Sequence, residues 1–326
     1  MTFQGFQSYY TMFFSNMGEL SYPNVFDHFL VIPFFILMTV GRVFLERFAF
    51  SPLGRFLCRM NAPTFHIEKP QEFEKKIIKF QEQTFKCLYH CFVALWALWA
   101  FSDFRWWSSD IRYTMQTDVR LLKFSSMHKL YYIFQTAFHL HSLLYHYIER
   151  RNHVRDDDLQ MQIHHMATIF LLVGSFHVGH LRIGTLVLYV HDMSDVFVAI
   201  TKIFNYTKFR DGILVVLLSN LVLSWAYYRL YRFPKDVILI IMEQIGFANK
   251  STFDYSLMFG LIVLFILHVI WFYQIIQIPM AIVYGNEEYD TTEHWKEATK
   301  MDKKERERRI VTPQSQHQEL HSHKQQ

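Results

Sequence analysis

Cysteine is scarce in this chain of 326 residues, which contains only Cys58, Cys87 and Cys91. Three thiols cannot build a disulfide scaffold, and two of them fall in an apolar segment, so we expect them to fill space rather than carry redox chemistry. No internal repeat is visible. The first 24 residues have no Lys or Arg and no compact apolar stretch, so no cleaved signal peptide is predicted. Disulfide-rich scaffolds and repeat architectures are therefore excluded.

Apolar residues, by contrast, make up 51% of the chain, and 18% of the residues are aromatic. A helix needs roughly 20 mainly apolar residues to cross a bilayer of about 30 Å. Seven segments have that length, which predicts an all-α polytopic membrane protein. The third and fourth contain several polar residues, but these are mostly His, Gln, Ser and Thr, which can face a bundle interior. The predicted spans are 25–45, 82–101, 127–148, 160–180, 183–204, 212–230 and 256–283.

Lys and Arg are distributed unevenly between the two sides of these spans. One side holds 21 of them and the other holds 9. Because cytosolic loops are enriched in Lys and Arg, we predict a lumenal N-terminus and a cytosolic C-terminus. The basic residues are scattered along the membrane edges, so no nucleic-acid partner is predicted. The richer side comprises 46–81, 149–159, 202–210 and 284–326, and the poorer side comprises 1–24, 102–126, 181–182 and 229–255.

Ionisable side chains are concentrated in the fourth and fifth predicted spans. His164 and His165 are adjacent in the fourth, and His191, Asp192 and Asp195 lie close together in the fifth. A charged residue at membrane depth costs about 2.5–3.5 kcal/mol on insertion scales, so such a cluster marks a functional site by default. His191 and Asp195, four residues apart, share a helical face. On antiparallel neighbouring helices, both sets are expected at similar depth in the cytosolic half, in direct or one-water contact.

The residues alone leave three uses of this cluster open. They can join helices by hydrogen bonds, perform acid–base or nucleophilic chemistry, or bind a metal. The convergence of five ionisable groups favours chemistry. A metal-dependent membrane oxygenase is less favoured, because no His-x-x-His-His box is repeated and His177 and His180 fall near the lumenal end. No metal site is predicted.

The same region resembles the signature of the ceramide synthases, endoplasmic-reticulum membrane proteins with a TLC domain. The matching residues keep their order from residue 164 to residue 206. Phe176, Gly179 and Ala199 stand where the family usually has Trp, Asn and Glu. The matching residues are His164-His165-x-Ala167-Thr168-Ile169, Ser175-Phe176, Arg182-Ile183-Gly184-Thr185-Leu186, His191-Asp192-x-Ser194-Asp195, Lys202 and Tyr206.

This resemblance implies a reaction, in which a fatty acyl group passes from acyl-CoA to the amine of a sphingoid base to give ceramide or dihydroceramide. A histidine would accept the proton of the amine or first take the acyl group, and an aspartate would orient the imidazole. The implied catalytic residues are His164, His165, His191, Asp192 and Asp195. The implied substrate-binding residues are Ser175, Arg182, Lys202 and Arg155.

The resemblance also implies six of the seven spans forming a TLC-type bundle around a lipid tunnel in the endoplasmic-reticulum membrane. The expected partners are fatty acyl-CoA, a sphingoid base, membrane lipids and a second synthase in a homo- or heterodimer, with no cofactor besides the acyl-CoA. The alternative is a TLC-fold protein that binds or senses lipid without catalysis. The predicted organisation is a lumenal segment 1–24, a first span 25–45, a basic cytosolic loop 46–74, a TLC domain 75–285 and a disordered, charged cytosolic tail 286–326.

Overall fold

The computed structural model describes residues 20–61, 70–101, 124–150, 157–207, 210–247 and 251–283. These ranges are helical almost throughout, which confirms the all-α prediction. Two short strands, β1 (Leu20–Ser21) and β2 (Phe124–Ser125), pair antiparallel. The helices are α1 (Val31–Leu45), α2 (Ser51–Asn61), α3 (Pro70–Ala100), α4 (Ser126–Arg150), α5 (Asp158–His177), α6 (Leu181–Asn205), α7 (Arg210–Trp225), α8 (Leu239–Phe247) and α9 (Thr252–Val283).

The first membrane helix is longer than the sequence predicted. A 3-10 turn, Val25–Leu30, leads into α1, and a π-helical turn, Glu46–Phe50, joins α1 to α2. The apolar helical segment therefore extends from Val25 to Arg59. At its start, the backbone N–H of Asn24 donates to the carboxylate of Asp27 over 2.9 Å, which is half of a capping box.

The predicted loop 46–74 is accordingly corrected. Residues 46–61 are helical and residues 70–74 already belong to α3, while residues 62–69 lie outside the described part of the chain. Two prolines of this region lie in helices. Pro70 is the first residue of α3, where a backbone N–H has no intrahelical partner, so proline costs no hydrogen bond. Pro52 lies inside the continuous segment Val25–Arg59, shortly after the π-helical turn Glu46–Phe50.

Helices are present at all seven predicted positions, but they differ in composition. Four helical segments combine the length and apolarity needed to cross a membrane: Val25–Arg59, Leu181–Asn205, Ile213–Glu243 and Thr252–Met280. The second, third and fourth predicted spans correspond to α3, α4 and α5, which carry more polar residues. The membrane character of the protein is thus clear, and the total of seven spans stays a prediction.

The sixth span also continues past its predicted end. After α7 the chain forms two π-helical segments, Ala226–Arg232 and Pro234–Ile238, before α8. Arg229, which the charge count assigned to a lumenal connector 229–255, therefore lies inside a helix. It is buried, with 2% of its surface exposed. In a hydropathy pattern, an arginine marks the end of a span. Here the side chain of Arg229 has a partner inside the protein, so the helix continues past it.

The core of the bundle is built around α6. Helix α3 packs along one side of α6 and α7 along another, while α4 packs against both α1 and α5. Aromatic residues fill the interior: the rings of Tyr89 and Phe138 stack at 3.4 Å between centroids. At Gly184 of α6 there is no room for a Cβ, because the hydroxyl of Tyr132 occupies that space.

A tight turn joins α5 to α6. Gly179 has a φ of 77°, in the left-handed region that glycine adopts without strain. The backbone N–H of His180 donates to the carbonyl of Ser175 over 2.8 Å and closes the end of α5. Asparagine, which the ceramide synthases usually have at this position, also tolerates the left-handed region. The turn therefore explains this departure from the family pattern.

The chain divides into two compact units, residues 1–272 and 273–326. Of the second unit the structure describes only residues 273–283, which form the end of α9. The predicted lumenal segment 1–24 is described from Leu20 onward. The predicted disordered tail 286–326 lies outside the described residues.

Candidate active site

The histidine pair of α5 lies in the interior of the bundle. His165 is buried and His164 is partly buried, and their ring centroids are 5.6 Å apart. The ring of His164 also meets the indole of Trp271 at 5.3 Å, and that of His165 meets His146 of α4 at 5.5 Å. Within the described residues, neither Nδ1 atom has a hydrogen-bond partner. Buried polar atoms are nearly always bonded, so two adjacent exceptions call for a functional explanation.

Asp192 is held by side chains from two other helices. Its Oδ1 accepts a hydrogen bond from Nδ1 of His90 on α3 over 2.8 Å, and its Oδ2 accepts one from Nε2 of Gln135 on α4 over 2.6 Å. Tyr89 donates to Oε1 of Gln135 over 2.6 Å and fixes the orientation of that amide. Only 4% of the side chain of Asp192 is exposed. Both oxygens of this carboxylate are therefore engaged in a closed network.

Asp195 has a different partner, the buried Arg229. An Nη2 of Arg229 donates to Oδ1 of Asp195 over 2.5 Å, and its Nε donates to the hydroxyl of Ser194 over 2.5 Å. The guanidinium also lies over the ring of Trp225, with its Cζ 4.1 Å from the centroid. A charge at membrane depth persists only with a partner, and Arg229 supplies it. The side chain of Asp195 nevertheless remains 31% exposed.

His191 uses both of its ring nitrogens within the protein. Its Nδ1 lies 2.6 Å from the carbonyl oxygen of Val187, which can only accept, so Nδ1 carries the proton. Its Nε2, 3.1 Å from Nε2 of His268 on α9, is then the acceptor of a bond that His268 donates. His191 therefore has no nitrogen available for a substrate, unlike the pair on α5. The catalytic role nominated for it stays a prediction.

Several of these groups lie near one another in the bundle. His164 is within electrostatic range of His139, His191 and Arg229, and Asp195 is within range of His139 and His191. The structure thus brings the α5 histidines and the α6 polar residues into one region of the bundle interior.

The expected pairing of an aspartate with a nominated histidine needs correction. We expected direct or one-water contact between the two sets, with Asp192 or Asp195 orienting an imidazole. In the described structure, Asp192 instead orients His90, Asp195 binds Arg229, and no hydrogen bond joins either carboxylate to His164 or His165. The partners come from helices distant in sequence, which helical spacing cannot reveal.

The nominated substrate-binding residues are spread over the length of the bundle. The hydroxyl of Ser175 makes a short hydrogen bond with that of Tyr132, near the turn between α5 and α6. Arg182 lies in the first turn of α6 and Lys202 in its last turn, so these two side chains lie at opposite ends of the helix. Arg155 lies outside the described residues. The roles of the three described residues stay predictions.

Four residues of the site were not nominated from the sequence: His90, Gln135, Arg229 and His268. Each is a polar group in a predicted apolar span or at its edge, and that was the available signal. The signal is strongest for His268, which is completely buried in the most apolar helix. Within the described ranges, no group of three or more His, Cys, Asp or Glu side chains is arranged to hold a metal ion.

Comparison with known families places this arrangement in context. The TLC domain model matches residues 79–277, which is more than half of the chain and includes α4, α5 and α6. The chain belongs to the TLC domain family. The match contains all of the nominated catalytic residues and also His90, Gln135, Arg229 and His268.

Three similar proteins are named as a sphingosine N-acyltransferase or as ceramide synthases. The chain is 30% identical to sphingosine N-acyltransferase lag1 of Schizosaccharomyces pombe over 67% of its length and 57% of that protein. It is 29% identical to ceramide synthase LOH2 of Arabidopsis thaliana over 72% of its length and 79% of that protein. It is 30% identical to ceramide synthase hyl-1 of Caenorhabditis elegans over 49% of its length and 46% of that protein. It thus spans little more than half of the fission yeast protein.

Proposed function

We propose that this protein is a sphingosine N-acyltransferase, which transfers a fatty acyl group from acyl-CoA to the amine of a sphingoid base. The observation that carries this proposal is the pair His164 and His165, whose buried Nδ1 atoms have no hydrogen-bond partner among the described residues. The names of the TLC relatives in fission yeast, plant and nematode support the same reaction.

The reaction requires a group that removes a proton from the attacking amine. A sphingoid amine is largely protonated at neutral pH, and a neutral imidazole accepts a proton in this range. The free amine then attacks the thioester carbonyl, a C–N bond forms, and the C–S bond breaks. The thiolate of CoA leaves with its electron pair and takes a proton. His164 and His165 suit the acceptor role because their nitrogens are not already committed, whereas those of His191 are.

The same two histidines suit an alternative route. An unprotonated ring nitrogen can attack the thioester first and form an acyl-imidazole, which the amine then resolves with release of the histidine. Both routes need an imidazole nitrogen that is free of internal hydrogen bonds. Asp192 and His90 act in either route as positioning residues, because they fix α3 and α4 against α6.

Substrate access is proposed from the two kinds of group in acyl-CoA. The acyl chain is expected in the predicted lipid tunnel inside the bundle, and the phosphates at the cytosolic membrane face. Lys202, in the last turn of α6, and Arg155 are the proposed phosphate contacts. Acyl-CoA is the co-substrate, and no further cofactor is proposed. Membrane lipids and a second synthase in a homo- or heterodimer are the proposed partners.

Purified protein in lipid nanodiscs tests this function directly. With sphinganine and palmitoyl-CoA present together, we expect N-palmitoyl sphinganine and free CoA to form in equal amounts. With either substrate omitted, no amide is expected. A lipid-binding protein without catalysis would bind both substrates and release no CoA beyond the background rate. Release of CoA with fatty acid and no amide would indicate a thioesterase instead.

We further propose an endoplasmic-reticulum location with a lumenal N-terminus and a cytosolic C-terminus, based on the excess of Lys and Arg in the predicted cytosolic connectors. Two sequons make this arrangement testable. Asn249 is predicted to be lumenal and Asn205 cytosolic. We expect an endoglycosidase-sensitive mass shift that Asn249→Gln removes and Asn205→Gln leaves unchanged. A shift that depends on Asn205 would contradict the topology.

A further inference from the structure

The two aspartates of α6 stand in different environments although only three residues separate them. Asp192 has both oxygens bonded and 4% of its side chain exposed. Asp195 has one oxygen bonded to Arg229 and 31% of its side chain exposed. A carboxylate can accept about four hydrogen bonds. Asp195 therefore keeps an accessible acceptor that Asp192 lacks.

The exposed part of Asp195 lies on the central helix of the bundle, among polar groups. Arg229, His90, His191 and His139 act on it electrostatically. A carboxylate oxygen in contact with hydrocarbon loses its hydration and gains no hydrogen bond in return. We therefore expect the accessible oxygen of Asp195 to face the bundle interior, where it can bind a polar ligand.

The fixed charges around this oxygen are two carboxylates and one guanidinium. Asp192 and Asp195 both act on Arg229. In the part of the chain that the structure describes, Arg229 is the one Lys or Arg side chain that acts on Asp195, and His90, which contacts Asp192, is a further group that can carry a positive charge. When His90 is neutral, one more cation completes the charge balance of the site, and in the low dielectric of a membrane interior such an interaction is strong.

Only one of the two proposed substrates carries a cation suited to this place. The acyl chain and thioester are neutral, and the head of acyl-CoA carries anionic phosphates, which a carboxylate repels. The sphingoid base ends in a primary ammonium, a compact group with three donors. Long-chain amines therefore match both the charge of Asp195 and the apolar interior of a membrane bundle.

We propose that Asp195, oriented by Arg229, is the recognition site for the ammonium group of the long-chain base. This inference rests on the proposed function for the identity of the amine. It separates the two aspartates by role: Asp195 binds a substrate, and Asp192 holds the bundle around it. It also accounts for selection of an amine over a long-chain alcohol of equal length, since a hydroxyl brings no charge to the site.

A binding measurement without acyl-CoA tests the proposal independently of catalysis. The protein in nanodiscs is titrated with sphinganine and with the matched triol in which a hydroxyl replaces the amine. The variant Asp195→Asn keeps an oxygen that can accept from Arg229 but removes the charge. We expect it to weaken sphinganine binding by about tenfold to a hundredfold, the loss of a charge-assisted hydrogen bond. Binding of the triol is expected to match that of the parent, which also shows that the binding site is intact.

The control variant is Asp192→Asn, which removes the closed carboxylate. We expect it to keep the preference of the parent for the amine over the triol. If Asp195→Asn keeps that preference too, or if the parent has none, the proposal is overturned. Amide formation can still occur in that case, so the proposed function would survive. Conversely, a preference lost only in Asp195→Asn supports the recognition site even if no acyl transfer is detected.

Discussion

Alanine at His164 or His165 is expected to reduce acyl transfer by about a hundredfold to ten-thousandfold, the usual contribution of a positioned acid–base group. Each side chain has an unbonded Nδ1 in the described structure, so its removal breaks no hydrogen bond there at that atom. The protein should therefore still insert and fold. The measurement is amide formation in nanodiscs at saturating sphinganine and palmitoyl-CoA, normalised to monodisperse protein.

His177→Ala is the matched control for this experiment. His177 is the last residue of α5, on the same helix, and is exposed. We expect it to retain activity close to that of the parent. Incubation with labelled acyl-CoA and no amine adds a second readout, because label that stays on the protein reports an acyl-imidazole. Activity within a few-fold of the parent in both His164→Ala and His165→Ala would refute the assignment of the pair.

Loss of the charge at Arg229 is expected to have the largest effect on stability. Arg229→Met keeps much of the length of the side chain but leaves the carboxylate of Asp195 without its cation. Breaking a buried ion pair by removing one partner costs roughly 3–5 kcal/mol. The bonds to the hydroxyl of Ser194 and the carbonyl of His191 are lost as well. We expect a marked fall in the midpoint of thermal aggregation in detergent.

Two further variants give this prediction its controls. The double variant Arg229→Met with Asp195→Asn removes both charges and should recover much of the lost stability. Arg232→Met breaks the ion pair with Asp236 on the same helical stretch, where 32% of the arginine is exposed. Such a pair contributes at most about 1 kcal/mol. Equal melting of Arg229→Met and Arg232→Met would contradict a buried structural charge at Arg229.

The sequence predicted which helices carry the site more completely than which side chains meet there. The pair on α5 and the set on α6 follow from local spacing, and the TLC match contains both. The partners of the aspartates do not follow, because His90 is 102 residues from Asp192 and Arg229 is 34 residues from Asp195. Helical periodicity identifies the residues that share a face. It does not identify the helix that this face meets, which depends on packing of the whole bundle.

Arg229 illustrates a second limit. From composition alone, an arginine near the end of an apolar run is assigned to the water beyond it, since an unpaired charge is costly in the membrane. The assignment fails when a carboxylate on another helix pairs with the arginine, as Asp195 on α6 does. The π-helical segment that carries Arg229 cannot be recognised in the hydropathy pattern.

The turn at Gly179 has a mechanical consequence. Only residues 178–180 separate the end of α5 from the start of α6. So short a link limits how far the two helices can slide past each other, and it keeps the histidine pair and the aspartates in one helical hairpin. We expect entry of the two proposed substrates to rely on displacement of helices with longer connections. Engineering for larger substrates would accordingly do better to loosen the contacts of this hairpin with its neighbours than to lengthen the turn itself.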